Sequence, residues 1–134
     1  MQYWLVKSEP FKYSWDQFEK DGITCWDGVR NYMARNHLAS MKKGDSVLFY
    51  HSNEGLAVVG IATVAAEAYP DPTSDDERWV AVDLKVRKKL KKPVTLADLK
   101  SIPGLDNMQM FRLNRLSVVS LKPEEYDLIV AQGQ

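Results

Sequence analysis

Residues 24–41, with the sequence TCWDGVRNYMARNHLASM, carry the residue types that a pocket for a flat polar ligand needs. They combine the aromatic plane of Trp26 with the guanidinium of Arg30 and the amide of Asn31. An indole ring can stack on another ring, while a guanidinium or an amide can hydrogen-bond to that ring's polar edge. Ligand pockets are mostly apolar with a few such polar groups, so this composition indicates a binding site.

The same stretch predicts a helix over residues 28–41, capped by Asp27. On a helical projection at about 100° per residue, Arg30 falls in the middle of a broad apolar arc and should point inward. A buried guanidinium needs a partner, because an isolated buried charge is very costly. Two partners remain open at this point. One is a protein carboxylate, for which Glu9 is the candidate, and the other is a polar ligand.

Two apolar segments end in polar residues that could join this helix start. QYWLVK and SVLFYHS are apolar at both parities, which predicts strands buried on both faces. Pro10 biases Glu9 toward extended geometry and ends the first strand there. If the strand ends and the helix start converge, they form a pocket with an aromatic wall and several donors and acceptors. The predicted ligand-binding residues are Lys7, Ser8, Glu9, Trp26, Arg30, Asn31, Tyr50, His51 and Ser52.

Each of these residues also has a structural explanation. Trp26 could belong to the core, and His51 could be a hydrogen-bonded interior histidine. Cys25 with His51 is a conceivable nucleophile pair, but TCW matches no nucleophile motif and no third orienting group is evident. Two histidines and one cysteine do not make a metal-ligand spacing, and no glycine-rich phosphate loop is present. We therefore expect no metal, no cofactor and no enzymatic activity.

The rest of the chain predicts about five strands unevenly interspersed with short helices. This pattern favours a single α+β domain over residues 1–134, with a curled mixed sheet or small barrel. Gly60, inside a long valine- and alanine-rich strand, predicts a bulge or a close backbone approach. The sequence predicts three further short helices. Ser14 and Thr95 are N-cap candidates for two of them, and Pro123 begins the third.

Composition limits the class of protein. The 134 residues include 45% hydrophobic and 27% charged residues, enough to bury a core. One cysteine and a four-residue apolar run near the N-terminus predict a cytoplasmic protein without a membrane span. The net charge is zero, which argues against coating long nucleic acid by bulk electrostatics. The charges are segregated, however, with six cations over residues 85–92 and four acids over residues 71–77, both interpreted as solvated loops.

Eight segments occur in the order found in EVE-domain proteins: YWLVKSEP, WDGVRNYMARNHLASMKKGD, VLFYHSN, VVGIATV, AYPDPT, WVAVDLK, PVTLADLK and RLSV. The chain resembles a bacterial-type EVE-domain protein over about residues 3–129. This resemblance implies a PUA-like fold, a twisted barrel-like sheet with helices around it, related to the YTH domains that read methylated adenine through an aromatic cage. Trp26 corresponds to a cage tryptophan, and KSEP, VRN and FYHS to pocket segments. Met33 departs from the pattern, which has glutamine there.

The resemblance implies a module that reads a modified base in DNA or RNA. The expected partner is a modified nucleic acid or a nucleoside-like small molecule. Extracting a base costs a few kcal/mol, and stacking it on an aromatic ring returns about 1–3 kcal/mol. Two alternatives remain, namely an enzyme acting on a small polar or nucleotide-like substrate in the same pocket, and a protein-interaction module. The predicted contacts to flanking phosphates are Arg30, Arg35, Lys42 and Lys43.

Overall fold

A computed structural model describes all residues 1–134 and has six strands and five short helices. It confirms the predicted mixed α+β class with a curled sheet. Along the chain the elements are β1 (Tyr3–Ser8), α1 (Trp15–Asp21), β2 (Ile23–Trp26), α2 (Tyr32–Ser40), β3 (Ser46–His51), β4 (Ala57–Pro70), β5 (Val80–Thr95), α3 (Leu96–Ser101), α4 (Gln109–Arg112), β6 (Val118–Leu121) and α5 (Pro123–Gln132).

The six strands form one mixed sheet in the order β2-β5-β4-β3-β1-β6. Only β1 and β3 are parallel, and every other neighbouring pair is antiparallel. The two edge strands, β2 and β6, pair with one neighbour each, so the sheet curls without closing into a barrel. The expectation of about five strands was wrong because β2 has only four residues and looks, in the sequence, like the approach to the helix.

The core is one cluster of 32 buried residues, which includes consecutive residues of β1 and β3 and so lies on both faces of these strands. Phe49 is at its centre, with ring centroids 5.4 Å from Trp15, 5.5 Å from Phe18 and 5.7 Å from Trp26. Gly60 lies against this cluster, and a Cβ atom there would overlap the ring of Trp15. The register of β4 also shifts between Val58 and Gly60. The predicted close approach and irregularity at Gly60 are therefore confirmed.

The starts of three helices were predicted correctly. Ser14 caps α1 by accepting a hydrogen bond from the Gln17 backbone, and Thr95 forms a reciprocal capping box with Asp98. Pro123 begins α5, as expected from its fixed φ. None of the five helices combines the length and hydropathy that crossing a bilayer requires.

The predicted start of α2 was wrong. Asn31 is the N-cap, its side chain accepting a hydrogen bond from the Ala34 backbone at 3.0 Å, and the helix begins at Tyr32. Gly28 has φ of 75°, in the left-handed region, so the helix cannot run through it. Arg30 therefore precedes the helix, and the projection that pointed it inward does not apply.

Candidate functional site

A cavity of about 690 Å³ opens beside the C-terminal end of β1 and the edge strand β2. Its walls are the C-terminal end of β1, the strand β2, residues 27–30 and the segment of residues 114–117 that precedes β6. Six of the nine predicted ligand-binding residues line this cavity, namely Lys7, Ser8, Glu9, Trp26, Arg30 and Ser52.

The parallel pairing of β1 and β3 brings two of the predicted segments together. Ser8 is in register with His51, and the backbone N–H of Ser52 donates to the Ser8 carbonyl at 2.9 Å. Parallel strands end on the same side of a sheet, so the polar residues that follow each strand become neighbours. The predicted convergence of these strand ends is confirmed for Ser8 and Ser52.

Trp26 is a core residue that also lines the cavity. It is 9% exposed, and its ring meets Phe49 edge-on at 5.7 Å and 83°. Tyr13 also meets it edge-on, at 6.3 Å and 75°. These edge-to-face contacts are favourable and hold the indole plane in one orientation. A rigid aromatic wall binds a flat ligand at a lower entropic cost than a mobile one does.

Arg30 pairs with Asp71, and the nomination of Glu9 as its partner was wrong. Arg30 Nη1 lies 2.9 Å from Asp71 Oδ2. The side chain of Asp71 is fully buried, while that of Arg30 is 39% exposed. Glu9 instead forms a solvent-accessible ion pair with Lys12 at 3.4 Å, because the turn after β1 brings Lys12, three residues later, next to Glu9.

The Asp71 carboxylate has all of its main acceptor positions occupied. Oδ1 accepts from the backbone N–H and the hydroxyl of Thr73, at 2.7 and 2.6 Å. Oδ2 accepts from the Gly28 backbone at 2.8 Å and from Arg30. Burial by itself would raise the pKa of Asp71, but these four hydrogen bonds outweigh it and hold the pKa well below its usual range. Asp71 therefore anchors one wall of the cavity as an ionised carboxylate.

The guanidinium of Arg30 has further contacts on the outer rim. Nη2 donates to the Thr73 hydroxyl at 3.1 Å, and the guanidinium carbon lies 5.6 Å from the centroid of Trp79. Trp79 in turn stacks on Tyr32 at 5.1 Å. These contacts tie the β4–β5 connection to the segment before α2, and so fix the position of Arg30 at the mouth of the cavity.

Several polar atoms of the lining already have protein partners. The Ser8 hydroxyl donates to the Tyr13 carbonyl at 2.6 Å, so its oxygen presents lone pairs to the cavity. Lys7 Nζ donates to the Asn114 carbonyl at 3.1 Å, and burial lowers the pKa of this amine. Tyr13 donates to Asp21 at 2.7 Å, and burial together with Asp21 raises the pKa of Tyr13 to about 12. Lys7 retains two further N–H groups that a ligand can use.

Three predicted ligand-binding residues lie outside the lining of the cavity. Asn31 uses its side-chain oxygen to cap α2. Tyr50 is buried at 3% exposure within β3, and burial raises its pKa. His51 Nε2 accepts a hydrogen bond from the Trp15 backbone at 3.1 Å, the structural role considered for this histidine. The sequence pattern placed these residues near the site without resolving the direction of each side chain.

The residues expected to contact flanking phosphates are, apart from Arg30, also outside the lining. Arg35 Nε donates to the Arg78 carbonyl at 2.6 Å. Lys42 and Lys43 lie in the turn before β3 and border a separate depression. Met33, where the resemblance led us to expect glutamine, is 46% exposed on the first turn of α2 and does not line the cavity.

Cys25 and His51 do not form a pair. Tyr69 Oη lies 2.5 Å from Asp83 Oδ1 and 3.0 Å from Cys25 Sγ. The Tyr69 hydroxyl has one proton, and it donates this proton in the shorter hydrogen bond, to Asp83. The Tyr69 oxygen can then only accept from the Cys25 thiol. Burial raises the pKa of the Cys25 thiol, which disfavours the nucleophilic thiolate.

Several residues of the site were not predicted from the sequence, chief among them Asp71. The Asp-Pro-Thr pattern of residues 71–73 contains a detectable signal, because aspartate often accepts a hydrogen bond from the backbone two residues later. That pattern predicts the local turn but not the distant partner Arg30. Asp71 itself lies behind the lining, and the lining residues outside the prediction are Lys12, Tyr13, Thr24, Cys25, Asp27, Gly28, Val29, Asn114, Arg115 and Ser117.

Comparisons with known proteins place the chain in a family. The family model of the EVE domain matches residues 2–132. Human thymocyte nuclear protein 1 is 35% identical over 163 residues, which cover 96% of this chain and 72% of that protein. The mouse thymocyte nuclear protein 1 is 36% identical with the same coverage.

Solved structures share the fold. A crystal structure of a protein from Agrobacterium tumefaciens has a TM-score of 0.97 at 46% identity, covering 99% of this chain and 93% of that one. Human thymocyte nuclear protein 1 in complex with 5-methylcytosine-containing DNA has a TM-score of 0.92 at 34% identity, covering 100% and 98%. The YTH domain of the Zygosaccharomyces rouxii MRB1 protein, in complex with N6-methyladenosine RNA, has a TM-score of 0.60 at 15% identity, covering 99% and 86%, and so shares the fold alone. The chain belongs to the EVE-domain family.

Proposed function

We propose that this domain is a non-catalytic binding module that holds a modified nucleobase of DNA or RNA in the cavity beside Trp26. One observation carries the proposal. The cavity has a rigid tryptophan wall and gathers six of the nine predicted ligand residues, in a chain whose human relative has been crystallised with 5-methylcytosine-containing DNA. The proposal covers the class of ligand, and a binding experiment with modified and unmodified ligands would identify the modification.

The size and lining of the cavity support this class of ligand. Its volume of about 690 Å³ falls within the range of about 300–1,000 Å³ that is typical of small-molecule pockets. Only four of the sixteen lining residues are hydrophobic. Such a lining suits a flat ring that needs one stacking surface and several edge contacts better than it suits a purely apolar ligand.

Each group would have a separate role in binding. Trp26 would supply the stacking plane, worth about 1–3 kcal/mol per base. Lys7 Nζ would donate to a base carbonyl or ring nitrogen, and the Ser8 oxygen would accept from an amino group. A base taken from a duplex has to leave its stack at a cost of a few kcal/mol. Stacking and edge contacts together have to exceed that cost, which favours single-stranded or damaged sites.

The test compares modified and unmodified ligands on one protein. Isothermal titration calorimetry would measure binding of 5-methyl-2′-deoxycytidine, N6-methyladenosine and their unmethylated parents, free and in short oligonucleotides. We expect at least one methylated ligand to bind more tightly than its parent. Equal affinity for every methylated and unmethylated pair would reject the reader function.

Trp26→Leu tests the stacking wall, and Trp15→Leu is its matched control. Both tryptophans contact Phe49 edge-on and belong to the core, but only Trp26 lines the cavity. Both variants should lose stability, on the order of 1–3 kcal/mol, because each removes a large buried ring. Only Trp26→Leu should lose ligand binding. Retained affinity in folded Trp26→Leu would remove Trp26 from the site.

A further inference from the structure

The cations of this chain lie on separate surfaces. Residues 85–92, with six cations and no acid, were expected to be a solvated loop but belong to the strand β5. In the β2–β5 register Trp26 pairs with Val82 and Ile23 pairs with Lys85, so Lys85 lies on the face opposite Trp26. Lys85 therefore points away from the cavity. The charge that a ligand meets in the cavity comes from the cavity's own lining.

Two cations of the lining have no carboxylate partner. The charged residues that line the cavity are Lys7, Glu9, Lys12, Asp27, Arg30 and Arg115. Arg30 pairs with Asp71 behind the lining, and Lys12 pairs with Glu9. Lys7 and Arg115 belong to none of the ion pairs of the chain. With Asp71 counted, four cations meet three acids, which leaves an excess of one positive charge.

The two unpaired cations are neighbours. Lys7 Nζ donates at 3.1 Å to the Asn114 carbonyl, which belongs to the peptide group that joins Asn114 to Arg115. The backbone supports the same arrangement, since the Lys7 N–H donates to the Ser117 carbonyl at 2.9 Å. Lys7 therefore lies against the segment that carries Arg115. We call Lys7, Asn114, Arg115 and Ser117, all of which line the cavity, the basic wall.

The basic wall has hydrogen-bond donors without acceptors. The side chains of Asn114, Arg115 and Ser117 make no hydrogen bond within the protein. Lys7 uses one of its three N–H groups, and burial lowers the pKa of this amine. A partly buried ammonium with a single neutral acceptor has lost hydration that one hydrogen bond does not replace. An anion at this wall would supply the missing acceptors and stabilise the charged amine.

The remaining acid of the lining, Asp27, does not neutralise the basic wall. It follows Trp26 at the end of β2, and three strands separate β2 from β1 in the sheet order. Burial raises the pKa of the Cys25 thiol, and the nearby Asp27 carboxylate adds to this rise. Asp27 forms no ion pair with Lys7 or Arg115. The acid therefore belongs to the Trp26 side of the cavity.

The basic wall and Trp26 line the same cavity, so one ligand can contact both. Lys7, Ser8 and Glu9 are consecutive and all line it, which places the cavity across the end of β1 rather than on one face of the strand. Its volume of about 690 Å³ is typical of pockets for drug-sized ligands, and a base by itself is smaller than these. Space therefore remains for the sugar and phosphate of a base that stacks on Trp26.

We propose that the basic wall binds the phosphate attached to the sugar of the base on Trp26, with Arg115 as the principal contact and Lys7 as the second. This inference rests on the proposed function and makes the ligand a nucleotide rather than a nucleoside. A guanidinium can hold two phosphate oxygens at once. Lys7 has two free N–H groups, one for the phosphate and one for the base edge. A phosphate contact adds affinity for methylated and unmethylated bases alike.

The test compares nucleosides with their monophosphates by isothermal titration calorimetry. The ligands are 5-methyl-2′-deoxycytidine and N6-methyladenosine, each free and as its 5′- and 3′-monophosphate, their unmethylated parents in the same forms, and inorganic phosphate alone. Arg115→Gln removes the guanidinium from the basic wall. Arg112→Gln is its matched control, because Arg112 is an exposed arginine three residues away, in α4, that does not line the cavity.

We expect the wild type to bind at least one monophosphate about tenfold more tightly than its nucleoside, because hydrogen bonds between charged groups are the strong ones. This ratio should fall severalfold in Arg115→Gln, remain partly intact in Arg115→Lys and match the wild type in Arg112→Gln. In Lys7→Gln/Arg115→Gln the monophosphate and the nucleoside should bind about equally. A wild-type ratio in this folded double variant, or no gain from the phosphate in the wild type, would overturn the inference.

The reader function and the phosphate site fail in different ways. If methylated and unmethylated monophosphates bind equally but the gain from the phosphate depends on Arg115, the reader function fails while the phosphate site stands. If a methylated nucleoside is preferred and the phosphate adds nothing, the reader function stands and the phosphate site fails. Inorganic phosphate that binds as tightly as the monophosphates would also overturn the inference, because the base would then contribute nothing. Absence of binding by every ligand would reject both.

Discussion

Arg30 and Asp71 are 41 residues apart in sequence, and their side chains meet at 2.9 Å beside the cavity. The pair joins the segment before α2 to the connection between β4 and β5. Its two members are not equivalent, because Asp71 is fully buried and Arg30 is 39% exposed. Asp71 accepts four hydrogen bonds, of which Arg30 supplies one.

This asymmetry predicts unequal costs of substitution. Asp71→Asn places an NH₂ group against donors that need an acceptor, and should cost about 2–4 kcal/mol of unfolding free energy. Arg30→Gln leaves three donors on the carboxylate and should cost about 1 kcal/mol. Urea denaturation at neutral pH measures both values. A cost for Arg30→Gln equal to or above that of Asp71→Asn would show that the carboxylate is not the centre of this network.

The histidines predict how stability depends on pH. Burial lowers the pKa of His51, opposed by Asp16, and burial also lowers the pKa of His37. The unfolded chain, with a histidine pKa of about 6.5, therefore binds more protons than the folded chain just below that pH. The contribution to stability is fully present above about pH 6.5 and declines as pH falls toward the lowered folded pKa values.

His51→Gln tests the part that belongs to His51. Glutamine keeps an acceptor for the Trp15 N–H but does not titrate. Urea midpoints measured from about pH 7.5 to about pH 5 should fall less steeply in the variant than in the wild type, with His37 accounting for the remaining slope. Parallel curves for the two proteins would exclude His51 as a source of the pH dependence.

Gly60 should not tolerate a side chain. A Cβ atom there would overlap three atoms of the ring of Trp15, a residue that is 1% exposed. Gly60→Ala should cost about 1–3 kcal/mol through overpacking. In Trp15→Leu the same substitution should cost less, because the smaller side chain leaves room. A double-mutant cycle from thermal or urea unfolding measures this coupling. Additive costs would contradict the close approach of Gly60 to the ring.

Substitution of Met33 should change neither stability nor ligand binding. The resemblance led us to expect glutamine at this position, yet the Met33 side chain is 46% exposed and outside the cavity. Met33→Gln should change stability by no more than about 0.5 kcal/mol, as is usual for surface positions. It should also leave the affinity for a methylated nucleoside within about twofold of wild type by calorimetry. A larger change in affinity would bring α2 into the binding site.

The features predicted correctly depend on neighbours close in sequence. β1 and β3 are apolar at both parities, which identifies strands buried on both faces without any knowledge of their partners. Thr95 and Asp98 cap α3 across three residues. β2 lacks such a pattern, since Ile23 is 52% exposed and only Trp26 of its four residues is buried. It becomes a strand through pairing with β5.

The sequence by itself determined six of the sixteen residues that line the cavity, and the starts of α1, α3 and α5. Only the tertiary structure decided that Arg30 pairs with Asp71 rather than Glu9, and that Asn31 caps a helix. Periodicity and helix capping depend on residues a few positions apart, so they can be recognised from the sequence alone. Partners such as Arg30 and Asp71 are chosen by the curl and register of the whole sheet, which bring together residues that no local pattern relates.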